Sequence, residues 1–132
     1  MRYEASFLIL SVALLSPLSA YAHHSFAAEY DTDKPVQITG TVTKVEWTNP
    51  HVHFYVDVKN NQGEVVNWNI ELGPPLILRH LGWRENSLKT GDQVTVEGYL
   101  AKDQSNLANA KKVTLADGQS VFAGSSAEKR GD

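Results

Sequence analysis

The chain has 132 residues, with 15 acidic and 12 basic side chains and a formal net charge of −3. A chain of this length supplies one small domain with one hydrophobic core. It contains no cysteine, which excludes disulfides, thiolate metal ligands and thiol nucleophiles. The slightly acidic balance argues against a nucleic-acid surface or an anionic-membrane patch. We therefore expect a single domain stabilised by packing alone, with no nucleic-acid partner.

The N-terminus has the pattern of a secretory signal peptide over residues 1–22. A basic residue precedes an apolar run over residues 7–15, Pro17 breaks that run, and Ala20 and Ala22 are the small residues expected before a cleavage site. The run is too short to span a bilayer, and no later segment is apolar enough to anchor the chain. We expect cleavage after Ala22, no membrane span in the mature protein, and a periplasmic location.

Period-two alternation and turn residues predict a series of strands in the mature chain. The predicted strands cover residues 36–47, 51–58, 64–72, 93–101 and 108–115, and a further short strand reaches Val121 and Phe122. Val42 and Val45 differ in phase along the first strand, which indicates a bulge. Pro74 and Pro75 begin a short helix near residues 74–81, and Gly82 ends it.

The second predicted strand has two distinct faces, with His51, His53, Tyr55 and Asp57 outward. The residues predicted to be buried in this and the other strands are Val52, Phe54, Val56, Trp68, Ile70, Val94 and Val96. A hairpin turn at residues 60–63 sets the register with the third strand. That register places His53 opposite Glu71 and Tyr55 opposite Asn69.

Three strands, a short helix and two further strands follow one another in the order typical of the oligonucleotide/oligosaccharide-binding (OB) barrel. We predict a mainly β fold: a small five-stranded OB-like barrel over residues 36–123, with one short helix between strands 3 and 4. Residues 23–35 are predicted to form an N-terminal arm, and residues 124–132 a disordered tail. Another small antiparallel barrel or sandwich is the alternative topology.

Several short motifs resemble a family of small exported Gram-negative proteins of unknown function, and together they cover nearly the whole mature chain. The motifs are His23-His24-Ser25-Phe26, Gly40-Thr41-Val42, Glu46-Trp47-Thr48-Asn49-Pro50-His51-Val52, Glu71-Leu72-Gly73 and Gly91-Asp92-Gln93-Val94-Thr95-Val96-Glu97-Gly98-Tyr99. The resemblance implies a periplasmic protein with an OB-like barrel whose mature form begins His-His-Ser-Phe. It implies no particular activity.

Removal of the leader places His23 at a free amino terminus, followed by His24. A terminal histidine offers its amine and ring nitrogens to one ion, and this donor set favours Cu(II). His51 and His53 are the further imidazole donors, with Glu71 beside His53 as a carboxylate that can orient it. Copper is therefore the cofactor that these residues suggest. The neighbouring ligand face is predicted to include Tyr55, Asn69 and Trp47.

Each candidate ligand also has an ordinary structural interpretation. His23 and His24 can be an accident of cleavage, and His51 can bond to the backbone of the preceding Asn-Pro turn. His53 and Glu71 can be solvated surface residues. The tryptophans Trp47 and Trp83 either pack in the core or flank a pocket, and His80, on the short helix, is expected at the surface outside any site.

Motifs for catalysis are absent from the sequence, including a nucleophile elbow, a phosphate-binding loop and a zinc-protease helix. We therefore predict a periplasmic, non-enzymatic protein that binds a small ligand or metal ion, with Cu(II) at His23 and His51 as the most specific form. One alternative is an interaction module that holds a periplasmic protein or a glycan on an outer face containing Tyr55, Asn67, Asn69 and Glu71. A copper-dependent oxidoreductase is a second alternative.

Overall fold

The computed structural model describes residues 26–125, which contain six strands and two short helices. The described part of the first helix, α1, covers residues 26–29. The other elements are β1 (Tyr30–Glu46), β2 (His53–Lys59), β3 (Val65–Glu71), α2 (Pro75–His80), β4 (Gln93–Ala101), β5 (Leu107–Leu115) and β6 (Ser120–Phe122). The predicted signal peptide, His23, His24 and residues 126–132 of the predicted tail lie outside the described residues.

The strands form one sheet that closes into a ring. Their order is β3-β2-β1-β4-β5-β6, and β3 also pairs with β5. The closing pair is parallel and joins residues 69–71 to residues 107–109, whereas the other pairs are antiparallel. Five strands in a ring with a helix between β3 and β4 are the connectivity of the OB barrel, so the predicted fold class is confirmed. The barrel is not regular, because its closure is short.

The first strand begins earlier than predicted. Tyr30 already pairs with Ala101 of β4, and after an irregular stretch the pairing resumes at Pro35. The later part of the predicted arm (23–35) therefore belongs to the sheet. The register breaks between Asp31 and Pro35, and this break removes the two-residue periodicity by which a strand is detected in a sequence.

The predicted bulge and turns are present. The register between β1 and β2 shifts between Val42 and Lys44, which accounts for the change of phase in the valine pattern. Gly63 has φ +79° in the β2–β3 turn, and Gly82 has φ +100° just after α2. These are backbone conformations that glycine adopts without strain.

The interior of the barrel contains nearly all the residues that alternation placed there. At most 2% of the surface of each of these residues is exposed: Val52, Phe54, Val56, Ile70, Val94 and Val96. Trp68, predicted inside with them, is only partly buried and packs against the edge of the core. Trp68 precedes residues 69–71, where β3 pairs with β5. At Trp68, β3 therefore has no neighbouring strand on that side among the described residues.

The end of the described chain is packed, although a disordered tail was predicted from residue 124. Ser125 is 3% exposed, and its hydroxyl donates a 2.6 Å hydrogen bond to Asn109 Oδ1. The Gly73 N–H donates a 2.8 Å bond to the Ala123 carbonyl. The folded domain therefore extends to residue 125. No helix in the described ranges is long and apolar enough to cross a membrane.

Candidate functional site

Two of the predicted ligand histidines meet at one carboxylate. His53 lies opposite Glu71 and Tyr55 opposite Asn69, so the register predicted from the hairpin turn is confirmed. His51 precedes β2, and its Nδ1 is 3.4 Å from Glu71 Oε1. His53 Nε2 is 3.9 Å from Glu71 Oε2. The two imidazole rings therefore flank the Glu71 side chain.

Glu71 is buried, with 9% of its surface exposed, although it lies on the outer face of its strand. The Tyr30 hydroxyl donates a 2.7 Å hydrogen bond to Oε2, and Asn109 Nδ2 donates a 3.2 Å bond to Oε1. Ser125 donates to the amide oxygen of Asn109, which leaves the amide nitrogen pointing toward Glu71. The interpretation of Glu71 as an ordinary exposed charge is therefore wrong.

Among residues 26–125, no fixed positive charge lies within ion-pair distance of this carboxylate. Within residues 26–125, its ion-pair contacts are with His51 and His53, and no lysine or arginine nitrogen lies within 4.0 Å of it. Burial of a carboxylate is costly unless hydrogen bonds and a positive charge compensate it. A cation beside the two imidazoles would compensate this charge, but residues 26–125 alone form no group able to hold a metal ion.

The hydrogen bond of His53 indicates which ring nitrogen is available to such a cation. Its Nδ1 is 2.8 Å from Asn69 Oδ1, and a carbonyl oxygen only accepts. Nδ1 therefore carries the proton, and in the neutral ring Nε2 has the free lone pair. Nε2 is also the nitrogen nearest Glu71, 3.9 Å from Oε2. Imidazole nitrogen and carboxylate oxygen are both metal ligands.

The N-terminal segment covers one side of this site. Phe26 is 5% exposed, and its ring centroid lies 5.3 Å from that of Tyr30 and 6.4 Å from that of Tyr99. The Lys102 N–H donates a 2.8 Å bond to the Glu29 carbonyl. These contacts hold the start of the described chain against β4, next to the Tyr30 hydroxyl that reaches Glu71.

The charges of the site extend to two neighbouring groups. Partial desolvation and the Glu71 carboxylate raise the pKa of Glu29, whereas His53 and His51 lower it. Burial and the Glu71 carboxylate raise the pKa of Tyr30 far above its usual range. Tyr30 therefore keeps its proton and remains a hydrogen-bond donor to Glu71.

The cluster lies on the outer face of β2 and β3, next to the β1–β2 and β4–β5 connections. His51 belongs to the β1–β2 connection, and His53 and Glu71 belong to the two strands. The Asn69 N–H donates a 2.9 Å bond to the Asn106 carbonyl, which brings the β4–β5 connection to the same edge.

The rest of the predicted ligand face is occupied by contacts within the protein. The Tyr55 hydroxyl donates a 3.3 Å bond to Glu46 Oε2, and Lys44 Nζ lies 5.6 Å from the centre of the Tyr55 ring. Asn67 Nδ2 donates a 2.8 Å bond to Asp57 Oδ1. A partner on this face would meet polar groups that already bond to one another.

The contacts of Trp47 and Trp83 are with other parts of the chain, and His80 lies on α2. Trp83 is buried and its Nε1 donates a 2.9 Å bond to the Phe122 carbonyl. Trp47 packs against the core, and the Arg79 guanidinium lies 5.9 Å from its ring centre. Among the described residues, the buried Trp47 Nε1 has no hydrogen-bond partner. His80 is exposed in the last turn of α2.

Sequence reasoning missed the three residues that anchor Glu71. Tyr30 is an aromatic residue in an otherwise polar segment, and that contrast was the available signal. Asn109 and Ser125 carry no comparable signal, because their partners lie far away in the chain.

Residues 26–125 contain no group of three or more histidine, cysteine, aspartate or glutamate side chains arranged to hold a metal ion. The described part of the chain brings His51, His53 and Glu71 together. The other two predicted ligands, His23 and His24, lie outside it.

The fold and the site define a small OB-like barrel with a histidine–carboxylate cluster on the outer face of β2 and β3. The chain belongs to a family of unknown function, DUF6152, whose family model matches residues 10–110. A comparison with curated proteins finds no match. Among solved structures, the chain is similar to the mitochondrial single-stranded DNA binding protein Rim1 from S. cerevisiae, with 15% identity and a TM-score of 0.49 over 63% of this chain and 93% of that chain.

Proposed function

We propose that the protein is an exported, non-enzymatic Cu(II)-binding protein of the periplasm, with His51, His53 and the amino-terminal His23 as ligands. The observation that carries the proposal is the buried Glu71 carboxylate, which has two imidazoles beside it and no lysine or arginine partner within the described residues. A divalent cation held by those imidazoles would compensate the buried charge.

The donor atoms favour copper over other common divalent ions. His23 at a free terminus contributes its amine and its ring nitrogen, and His51 and His53 contribute one imidazole nitrogen each. Four nitrogen donors suit the tetragonal geometry of Cu(II), which also leads the divalent first-row metals in affinity for such ligands. His24 supplies a further imidazole next to the terminus.

Covalent geometry supports the participation of the terminus. His23 precedes Phe26 by three residues, and a residue spans at most about 3.6 Å, so His23 lies within about 11 Å of Phe26. Phe26 packs on Tyr30, whose hydroxyl bonds to Glu71. Residues 26–125 alone contain no metal site, so the proposal requires a ligand from the segment before Phe26.

A Cu(II) titration of protein that begins at His23 tests the proposal. We expect one ion per chain, measured by competition with a chelator of known affinity, and an electron paramagnetic resonance spectrum with nitrogen couplings. One additional alanine before His23 converts the terminal amine to an amide, which must lose a proton before it coordinates well. We expect this extension to weaken binding by at least about tenfold.

Matched histidine variants locate the ion. His51→Ala and His53→Ala should each weaken Cu(II) binding by about 10- to 100-fold or more. His80→Ala, an exposed histidine outside the cluster, should leave it unchanged. Equal affinity in processed and extended protein would exclude the terminal ligand, and equal effects of all three alanine variants would exclude this site.

The compartment is tested separately. Protein recovered from the periplasmic fraction of a Gram-negative host should begin at His23 by N-terminal sequencing, because small residues precede that position. A protein that stays in the cytoplasm, or that starts at another residue, would contradict the proposed export and the terminal chelate together.

A further inference from the structure

A surface depression of about 380 Å³ lies across β1, β4 and β5. Its lining includes Gln37, Glu97, Gly98, Tyr99 and Lys111. None of these residues belongs to the histidine–carboxylate cluster, so the depression is a separate feature of the barrel. Its volume is near the lower end of the range of about 300–1,000 Å³ that is typical of small-molecule sites.

An irregularity in the pairing of β4 with β5 places a lysine at this depression. Glu97 pairs with Lys112, and Gly98 pairs with Ala110. Lys111 is therefore an extra residue with no partner in β4. A bulge of this kind redirects a side chain and is common beside functional sites. Gly98, which faces the bulge, has no side chain, so its backbone forms part of the surface of the depression.

Lys111 carries a positive charge that no described residue compensates. Within residues 26–125, no carboxylate oxygen lies within 4.0 Å of its Nζ, and no hydrogen bond engages it. The acidic side chain of the depression, Glu97, is already paired, because Lys112 Nζ lies 2.7 Å from its Oε2. The depression therefore has an excess positive charge in a chain whose formal net charge is −3.

Two uncharged polar side chains complete the lining. Among the described residues, no hydrogen bond engages the Gln37 amide or the Tyr99 hydroxyl. The Tyr99 ring meets the Phe26 ring at 85°, and such an edge-to-face contact covers at most one face of a ring. Pro35 and Val36 add apolar surface. An ammonium, an amide, a phenol and an apolar surface therefore share one depression.

We propose that this depression is a ligand-binding site for a uronic acid, a sugar that carries one carboxylate. The Lys111 ammonium pairs with the carboxylate in a charge-assisted hydrogen bond. Gln37 and Tyr99 bond to the sugar hydroxyls, and the apolar surface packs against the C–H groups of the ring. A purely apolar ligand would leave the polar groups covered and unpaired, which is costly. The inference does not rest on the proposed copper site.

A titration with D-glucuronate, followed by the amide NMR signals of the isotope-labelled protein, tests the proposal. D-Glucose is the uncharged control, and a chelator keeps the protein free of metal. Glucuronate should produce saturable shifts at Gln37, Gly98, Tyr99 and Lys111, and should bind at least about tenfold more tightly than glucose. Sodium chloride should weaken glucuronate binding, because salt screens the attraction between exposed charges.

Matched lysine variants locate the carboxylate. Lys111→Gln should weaken glucuronate binding by about five- to tenfold and leave glucose binding nearly unchanged. Lys59→Gln removes another exposed lysine, at the end of β2, and should not change either affinity. Tyr99→Phe keeps the ring and removes the hydroxyl, and it should weaken glucuronate binding by about two- to fivefold.

Three results would each overturn the proposal. They are the absence of saturable shifts at the lining residues, equal affinities for glucuronate and glucose, and equal effects of Lys111→Gln and Lys59→Gln. Because these measurements are made without metal, their failure leaves the proposed function standing, and a failure of the copper titration leaves this site standing.

Discussion

The Tyr30 hydroxyl donates a 2.7 Å hydrogen bond to Glu71 across 41 positions of sequence. Tyr30 is the first residue of β1 and Glu71 the last residue of β3. This contact joins the N-terminal segment to the carboxylate between His51 and His53. It therefore connects the start of β1 to the outer face of β2 and β3.

Tyr30→Phe should destabilise the protein by about 1–3 kcal/mol, because it removes a donor from a buried carboxylate and leaves the rest of the ring in place. Urea unfolding at neutral pH measures the change. Tyr99→Phe is the matched control, since the Tyr99 ring also packs on Phe26, and it should cost less than about 0.5 kcal/mol. Equal losses in the two variants would contradict the importance of the Glu71 bond.

Phe54→Ala should cost about 3–5 kcal/mol through lost burial and the cavity left behind. Phe54 is fully buried near the start of β2. Val65→Ala is a suitable control, because Val65 is 59% exposed, and it should change the free energy of unfolding by less than about 0.5 kcal/mol. Denaturant melts that show similar effects for both variants would be inconsistent with Phe54 on the buried face of β2.

Gly98→Ala should destabilise the protein by at least about 2 kcal/mol, as overpacking of a dense interior does. A Cβ at position 98 would overlap the Asn109 carbonyl oxygen, so β4 and β5 must separate. Asn109 also holds Glu71, and the substitution should therefore weaken Cu(II) binding as well. Thermal melts and metal titration check the two effects, and a variant as stable as the wild type would refute the close approach.

Glu29→Gln should change how stability depends on pH in the metal-free protein. Partial desolvation and the Glu71 carboxylate raise the pKa of Glu29, so the folded state holds this proton more tightly than the unfolded chain does. The resulting stabilisation is present below the unfolded pKa and is lost as the pH rises through the folded pKa. Relative to Glu29→Gln, the wild type should lose stability between about pH 4 and about pH 7.

Chemical unfolding of both proteins at the two pH values measures this difference. The sign of the change in stability with pH is the informative result, and its size is not, because Glu29 is exposed enough for solvent to screen its charge. A difference that stays constant with pH, or that changes in the wild type's favour as the pH rises, would contradict the raised pKa of Glu29.

Local sequence patterns were sufficient to predict the strands, the helix and the pairing of His53 with Glu71. The clean alternation of β2 and the turn at residues 60–63 predicted that His53 faces Glu71, because a hairpin is set by residues that are adjacent in sequence. Pro75 and Gly82 similarly marked the ends of α2. These features depend on the conformational preferences of single residues, which act before any long-range contact forms.

The sequence by itself thus determined the barrel and the pairing of His53 with Glu71. Only the tertiary structure decided that Glu71 is buried, that β1 begins at Tyr30, and that Ser125 belongs to the domain. The physical reason is that these results depend on contacts between distant segments: Tyr30 and Asn109 reach Glu71 across 41 and 38 positions. The periodicity of residues in one strand carries no information about which distant side chain covers that strand.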